Sequence, residues 1–119
     1  MAETTQHGGC HCGAVRYQVE VDTSAGGMVC NCSICSRTGT ILSFVPDTKF
    51  KLEKGQDELV SYKFNKKHID HVFCKTCGIK SFARGARPDG TLMIAVNLRC
   101  LENIDLETVP TKPYDGKSL

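Results

Sequence analysis

Tryptophan is absent from this chain of 119 residues, and only 40% of the residues are hydrophobic. One domain of that size supports a modest core, so a metal staple would add useful stability. Long apolar runs are missing as well. No stretch approaches the roughly 20 apolar residues of a membrane-spanning helix, so no membrane role is expected. Met1 is followed by Ala-Glu-Thr-Thr-Gln-His, without the basic start and apolar run of a secretory signal. A reducing, cytoplasmic setting is therefore expected, in which thiols stay free for metal. Sustained helical periodicity over three turns is lacking, as are internal repeats, low-complexity segments and any composition break. A single domain spanning 1–119 follows.

Cysteine, by contrast, is abundant. Seven of the eight cysteines fall in three tight groups: Cys10 and Cys12, then Cys30, Cys32 and Cys35, then Cys74 and Cys77. Thiolates this close repel one another, and a soft divalent cation relieves that repulsion. The segment Cys74-Lys75-Thr76-Cys77-Gly78 has the form of a zinc knuckle, in which a tight turn aims both sulfurs at one ion. Cys10-His11-Cys12-Gly13 is a tighter version, and extended backbone alone would set its two sulfurs on one face. These two pairs make a credible closed four-thiolate site, whose contribution is to folding.

The central triplet Cys30, Cys32 and Cys35 differs. Three thiolates leave a fourth position vacant on a tetrahedral ion, and an open position can take an incoming thiol and hold it ionised. The alternative is that Cys100 or a histidine closes the site and makes it structural. A lone cysteine such as Cys100 is otherwise a small buried residue. Arg37 and Thr38, directly after the triplet, could bind a ligand carboxylate or simply cap the local turn. Of the four histidines, only His68 and His71 are close in sequence, and strand periodicity puts them on opposite faces. His71 shares a face with Ile69 and Phe73, either as a satisfied core histidine or as an acid–base residue beside the site.

The rest of the pattern is that of short strands. Residues 14–21 alternate, with Val15, Tyr17, Val19 and Val21 on one face. Further strands are expected at 28–29, leading into Cys30, at 41–45 (buried), around Phe50 and Leu52, and at 59–64. Another runs from Ile69 to Cys74. The last are 81–84 and 91–97, joined by a hairpin turn at Pro88-Asp89-Gly90. Ser36-Arg37-Thr38-Gly39 suits one helical turn stopped by glycine. Residues 1–9 read as a mobile lead-in, and the segment after Leu101, with Pro110 and Pro113, as a tail wrapping the surface. The fold class is mainly β, with short antiparallel strands.

Net charge is +2, but unevenly spread. Between Lys63 and Arg87, seven basic residues face Asp70 alone, a local excess of +6 that leaves −4 elsewhere. Such a field would suit a small dianion or phosphate, or it marks a solvated edge strand whose lysines discourage aggregation.

GGCHCGAVRY, CNCSICSRTG, FCKTCG and VNLRCL, in that order, resemble the glutathione-dependent formaldehyde-activating enzyme family, which also takes in the centromere protein V type. The likeness runs from about Gly8 to Leu106. It implies a zinc-binding domain of the β-tent kind, with structural zinc on Cys10, Cys12, Cys74 and Cys77. A second zinc on Cys30, Cys32 and Cys35 is implied near a glutathione site. The activity it implies is that of a carbon–sulfur lyase, joining formaldehyde or a similar small electrophile to glutathione in formaldehyde detoxification. Catalytic roles would fall to Cys30, Cys32, Cys35 and His71, and carboxylate binding to Arg37 and Thr38. Two rival readings use the same residues. One is a non-catalytic zinc module binding protein or nucleic acid through the basic stretch. Nucleic acid ranks lower, because Tyr62, Phe64 and Phe82 sit at core-like positions. The other is a redox sensor that loses zinc when the triplet is oxidised.

Overall fold

The alternating stretch around Tyr17 forms a strand because its apolar side chains gain burial on one face only. In the computed structural model, which describes residues 3–63 and 69–118, it lies in β2 (Arg16–Val21). Its partner is a correction to the sequence reading. The expected lead-in is a strand, β1 (Thr4–Gly9), paired antiparallel from Thr4 opposite Val21 to Gly9 opposite Arg16. Only Gly8 and Gly9 of β1 are buried, so no apolar alternation could announce it. Glycine is needed there: a Cβ on Gly9 would sit 2.1 Å from the Val15 carbonyl oxygen.

The chain continues through β3 (Gly27–Cys30), α1 (Cys35–Thr38), β4 (Leu42–Pro46), β5 (Phe50–Lys54) and β6 (Leu59–Tyr62). Then come β7 (Ile69–Cys74), β8 (Phe82–Ala86), β9 (Leu92–Asn97) and β10 (Thr111–Tyr114). A small sheet has the order β1-β2-β5, and a larger one the order β10-β3-β4-β9-β8-β7-β6. Every pairing is antiparallel except the last strand's. The tail expected to wrap the surface instead adds β10 parallel to β3, so the short strands are not uniformly antiparallel. As the glycine stop predicts, α1 is one turn, ended at Gly39 in the left-handed region (φ 69°).

Register assigns the faces of the large sheet, because residues directly opposite one another project to the same side. Val72, Phe82 and Val96 form one such row, all essentially buried. They meet the small sheet through a three-ring cluster in which Phe82 lies 4.7 Å from Phe50 and 5.8 Å from Tyr17. Each fully buried side chain of this kind contributes about 1.5–3 kcal/mol. The adjacent row, His71, Ala83, Ala95 and Phe44, faces the other way.

That second face corrects several expectations. Phe44, within the strand read as buried, is 51% exposed, and Ile69, grouped with His71, is 48% exposed. Tyr62, read as core-like, is likewise exposed, whereas Phe82 is fully buried. Phe64, the turn at Asn65-Lys66-Lys67 and His68 lie outside the described residues.

Candidate metal centres and the adjoining cavity

The hairpin between β1 and β2 turns at Cys10 to Val15, where the Cys10 N–H donates to the Val15 carbonyl at 3.1 Å. The Val15 N–H returns to Cys10 Sγ at 3.3 Å. At the far end of β7, the Thr76 N–H donates to Cys74 Sγ at 3.4 Å, and Gly78 takes a positive φ of 78° to close that knuckle. Such N–H groups stabilise sulfur in its anionic form. The two turns meet, bringing the four Sγ atoms of Cys10, Cys12, Cys74 and Cys77 within 4.8 Å of one another. Two of the separations, Cys10 to Cys12 and Cys12 to Cys74, are 3.6 Å. A disulfide needs about 2.05 Å. Sulfurs held about 2.3 Å from a tetrahedral zinc stand about 3.8 Å apart, so the donor set fits such an ion.

The second group forms where β3 runs into α1. Cys30 ends the strand, Cys35 begins the helix, and the Cys32 N–H donates to Cys30 Sγ at 3.4 Å. Their three Sγ atoms also lie within 4.8 Å, and among the described residues no fourth Cys, His, Asp or Glu joins them. Cys100 belongs to neither group. It accepts from Asn97 Nδ2 at 3.6 Å and lines a separate cavity of about 440 Å³ with Cys10, His11, Thr38 and Thr40.

The triplet opens instead on a cavity of about 590 Å³ on the second face of the large sheet. Ala83, Gly85 and Ala95 keep its floor low. Met28, Ile34, Leu42 and Phe44 wall one side, while Lys80 and Arg87 flank β8; Arg84 borders the cavity from β8, but its guanidinium lies over Phe82 on the other face. The C-terminal segment closes in from above. Asn31 holds it at both ends of its amide, donating to Asp115 at 2.9 Å and accepting from the Lys117 N–H at 2.8 Å. Gly116 packs so near that a Cβ there would stand 2.6 Å from Cys30 Sγ.

Two buried polar side chains reach this cavity. Lys80 Nζ lies 2.8 Å from His71 Nδ1, with the residues 8% and 7% exposed. Burial first, then the Lys80 charge, push His71 down to about 4. Its ring is thus neutral at ordinary pH, with Nδ1 accepting and the ring proton on Nε2. Burial also lowers the Lys80 ammonium, against the opposing pull of the Cys35, Cys32 and Cys30 thiolates.

The other sequence candidates sit elsewhere. Arg37 is exposed and donates from Nη1 to the Ser33 carbonyl at 2.8 Å, capping its own turn away from the cavity. Thr38 donates back to the Cys35 carbonyl at 3.4 Å and borders the other cavity. His11 borders that cavity too, and His7 lies 3.9 Å from Glu53. The basic stretch is divided: Lys80 is buried, Lys75 pairs with Glu58 at 3.2 Å, and Arg84 lies over Phe82 at 5.4 Å. Lys80, Arg84, Arg87 and Gly116 are the cavity residues that sequence reasoning missed. The only signal was the excess charge from Lys63 to Arg87, which says nothing of burial.

The match to known proteins covers nearly the whole described chain. A family model described as glutathione-dependent formaldehyde-activating enzyme matches residues 5–113. A crystal structure of a Rhodobacter sphaeroides protein is similar at 33% sequence identity and a TM-score of 0.76, covering 89% of this chain and 99% of that one.

Proposed function

The chain belongs to the glutathione-dependent formaldehyde-activating enzyme family, and from that premise we propose that it is a zinc-dependent carbon–sulfur lyase. It would act as an S-(hydroxymethyl)glutathione synthase does, joining the glutathione thiol to formaldehyde or another small electrophile in the reducing cytoplasm. The observation that carries this reading is the contrast between the two cysteine groups. One is a closed set of four. The other is a set of three on the wall of a cavity that also holds Lys80 and His71.

In this reading Cys10, Cys12, Cys74 and Cys77 hold a structural zinc, and Cys30, Cys32 and Cys35 hold a second. The second ion would supply the positive charge that keeps an incoming thiol ionised at neutral pH. The remaining work falls to the chain. Arg87, in the same cavity as the Lys80 charge, binds a carboxylate of the tripeptide, the role that the sequence offered to Arg37 and Thr38. The proton of the thiol leaves to solvent. The thiolate sulfur then bonds to the carbonyl carbon, and the carbon–oxygen π pair moves onto oxygen. Lys80 donates a proton to that oxygen and recovers one from solvent. His71, neutral and accepting at Nδ1, aims the ammonium rather than acting as the acid itself. The net reaction adds a thiol to a carbonyl with no oxidant consumed.

Magnetisation-transfer NMR between glutathione and S-(hydroxymethyl)glutathione tests this, using zinc-loaded protein and its Cys32→Ser, Cys35→Ser double variant. Exchange faster than in buffer, lost in the variant, supports thiol activation at the triplet. Exchange no faster than in buffer for the wild type removes formaldehyde activation.

A further inference from the structure

The cavity has room for glutathione, but its lining is more apolar than glutathione and formaldehyde together require. About 590 Å³ is the size of pockets that enclose drug-sized ligands. Formaldehyde has two heavy atoms and no apolar surface to bury. The sheet order concentrates the apolar lining on one side, although Ile69 on β7 adds an apolar group on the other. The cationic groups Lys80 and Arg87 flank β8, on one side of β9. Met28 on β3, Leu42 and Phe44 on β4, and Ile34 before α1 lie on the other, next to the cysteine triplet. Between them run the small residues Ala83 and Ala95, which leave the trough open.

A glutathione bound along the cationic wall leaves the apolar wall unexplained. Phe44 is 51% exposed and continues the apolar lining of Met28, Ile34 and Leu42, and a contiguous apolar patch within a cavity suits an apolar ligand group. We propose that the physiological electrophile is an aldehyde bearing an apolar group of several carbons, which lies against Met28, Ile34, Leu42 and Phe44. This deepens the thiol-addition reading and rests on it. The chemistry is unchanged: sulfur bonds to the aldehyde carbon, the π pair moves to oxygen, and Lys80 supplies that oxygen's proton. The product is a hemithioacetal with an alkyl or aryl substituent in place of hydrogen.

Two measurements test it. The first compares the acceleration of thiol exchange over buffer for hexanal and for formaldehyde, in the wild type, Phe44→Ser and Leu92→Ser. Leu92 is an equally exposed apolar residue that does not line the cavity. The expected result is a hexanal-to-formaldehyde ratio well above one, falling about tenfold in Phe44→Ser and unmoved in Leu92→Ser. Formaldehyde exchange accelerated with hexanal no faster than in buffer overturns the proposal while leaving thiol activation standing. Failure with both aldehydes overturns both.

The second measurement needs no turnover. Calorimetric titration of the zinc-loaded protein with S-methylglutathione and S-hexylglutathione should show the hexyl compound binding at least tenfold tighter. Phe44→Ser should erase most of that difference. Equal affinities for the two thioethers overturn the proposal whatever the exchange experiment shows.

Discussion

Lys80 Nζ donates to His71 Nδ1 at 2.8 Å, and this buried pair lies in the same cavity as the triplet Cys30, Cys32 and Cys35. A buried lysine ordinarily carries a large desolvation cost. Here a neutral imidazole accepts a hydrogen bond from its ammonium, and thiolate charge on Cys35, Cys32 and Cys30 would favour that ammonium.

Lys80→Met removes that proton while keeping most of the side chain's bulk. Thiol-exchange acceleration should fall roughly 100-fold, the ordinary range for a lost general acid. Zinc content and the far-ultraviolet circular dichroism spectrum should be unchanged. A loss of zinc in this variant would instead make Lys80 a stabiliser of the triplet.

His71 predicts a pH dependence of stability. Its pKa is about 4 in the folded chain against 6.5 unfolded, so between those values only the unfolded chain takes up the proton. The contribution is level above pH 6.5, declines as pH falls toward 4, and is level again below it. The full drop is roughly 3 kcal/mol at about 1.4 kcal/mol per unit. Urea denaturation of the wild type and His71→Gln across pH 4 to 7.5 checks this. The wild type should lose stability relative to the variant as pH falls.

The two cysteine groups should separate in their effect on folding. Cys74→Ser breaks the set that ties the β1–β2 hairpin to the end of β7, and should leave the chain largely unfolded. Cys32→Ser should retain the native circular dichroism spectrum and lose only the second ion. Zinc per chain, measured by plasma mass spectrometry, should fall from two toward one.

Arg87 should act on substrate binding. Arg87→Gln should raise the glutathione KM about tenfold with kcat little altered. Arg37→Gln should leave KM alone, because that guanidinium is engaged with its own helical turn.

Gly116 should be intolerant of a side chain. Gly116→Val drives a Cβ toward Cys30 Sγ, so the C-terminal segment or the triplet must shift. Competition with a chromophoric chelator should show weaker metal retention at the triplet, by about tenfold or more, with the four-thiolate set unaffected.

Much of the candidate site was legible in the residues. The ligand sets can be read because metal spacing is a local property: two thiols in one turn are close whatever surrounds them. Period-2 alternation likewise revealed β2, since it buries one face against the core. Alternation tells which residues share a face, but not what that face meets. Phe44 therefore read as core, although its row borders the open cavity.

The chain by itself determined the thiolate groups, the mainly β architecture and the glycine-stopped turn that carries Cys35. Tertiary structure alone decided the rest. It made β1 a strand, because an exposed edge has no apolar signature, and added β10 in parallel to an edge fixed far away in sequence. It also buried Lys80, turned Arg37 back onto its own helical turn, and brought Gly116 over Cys30. Most of these depend on which distant strand lies alongside, and a residue's own neighbours in sequence carry no record of that.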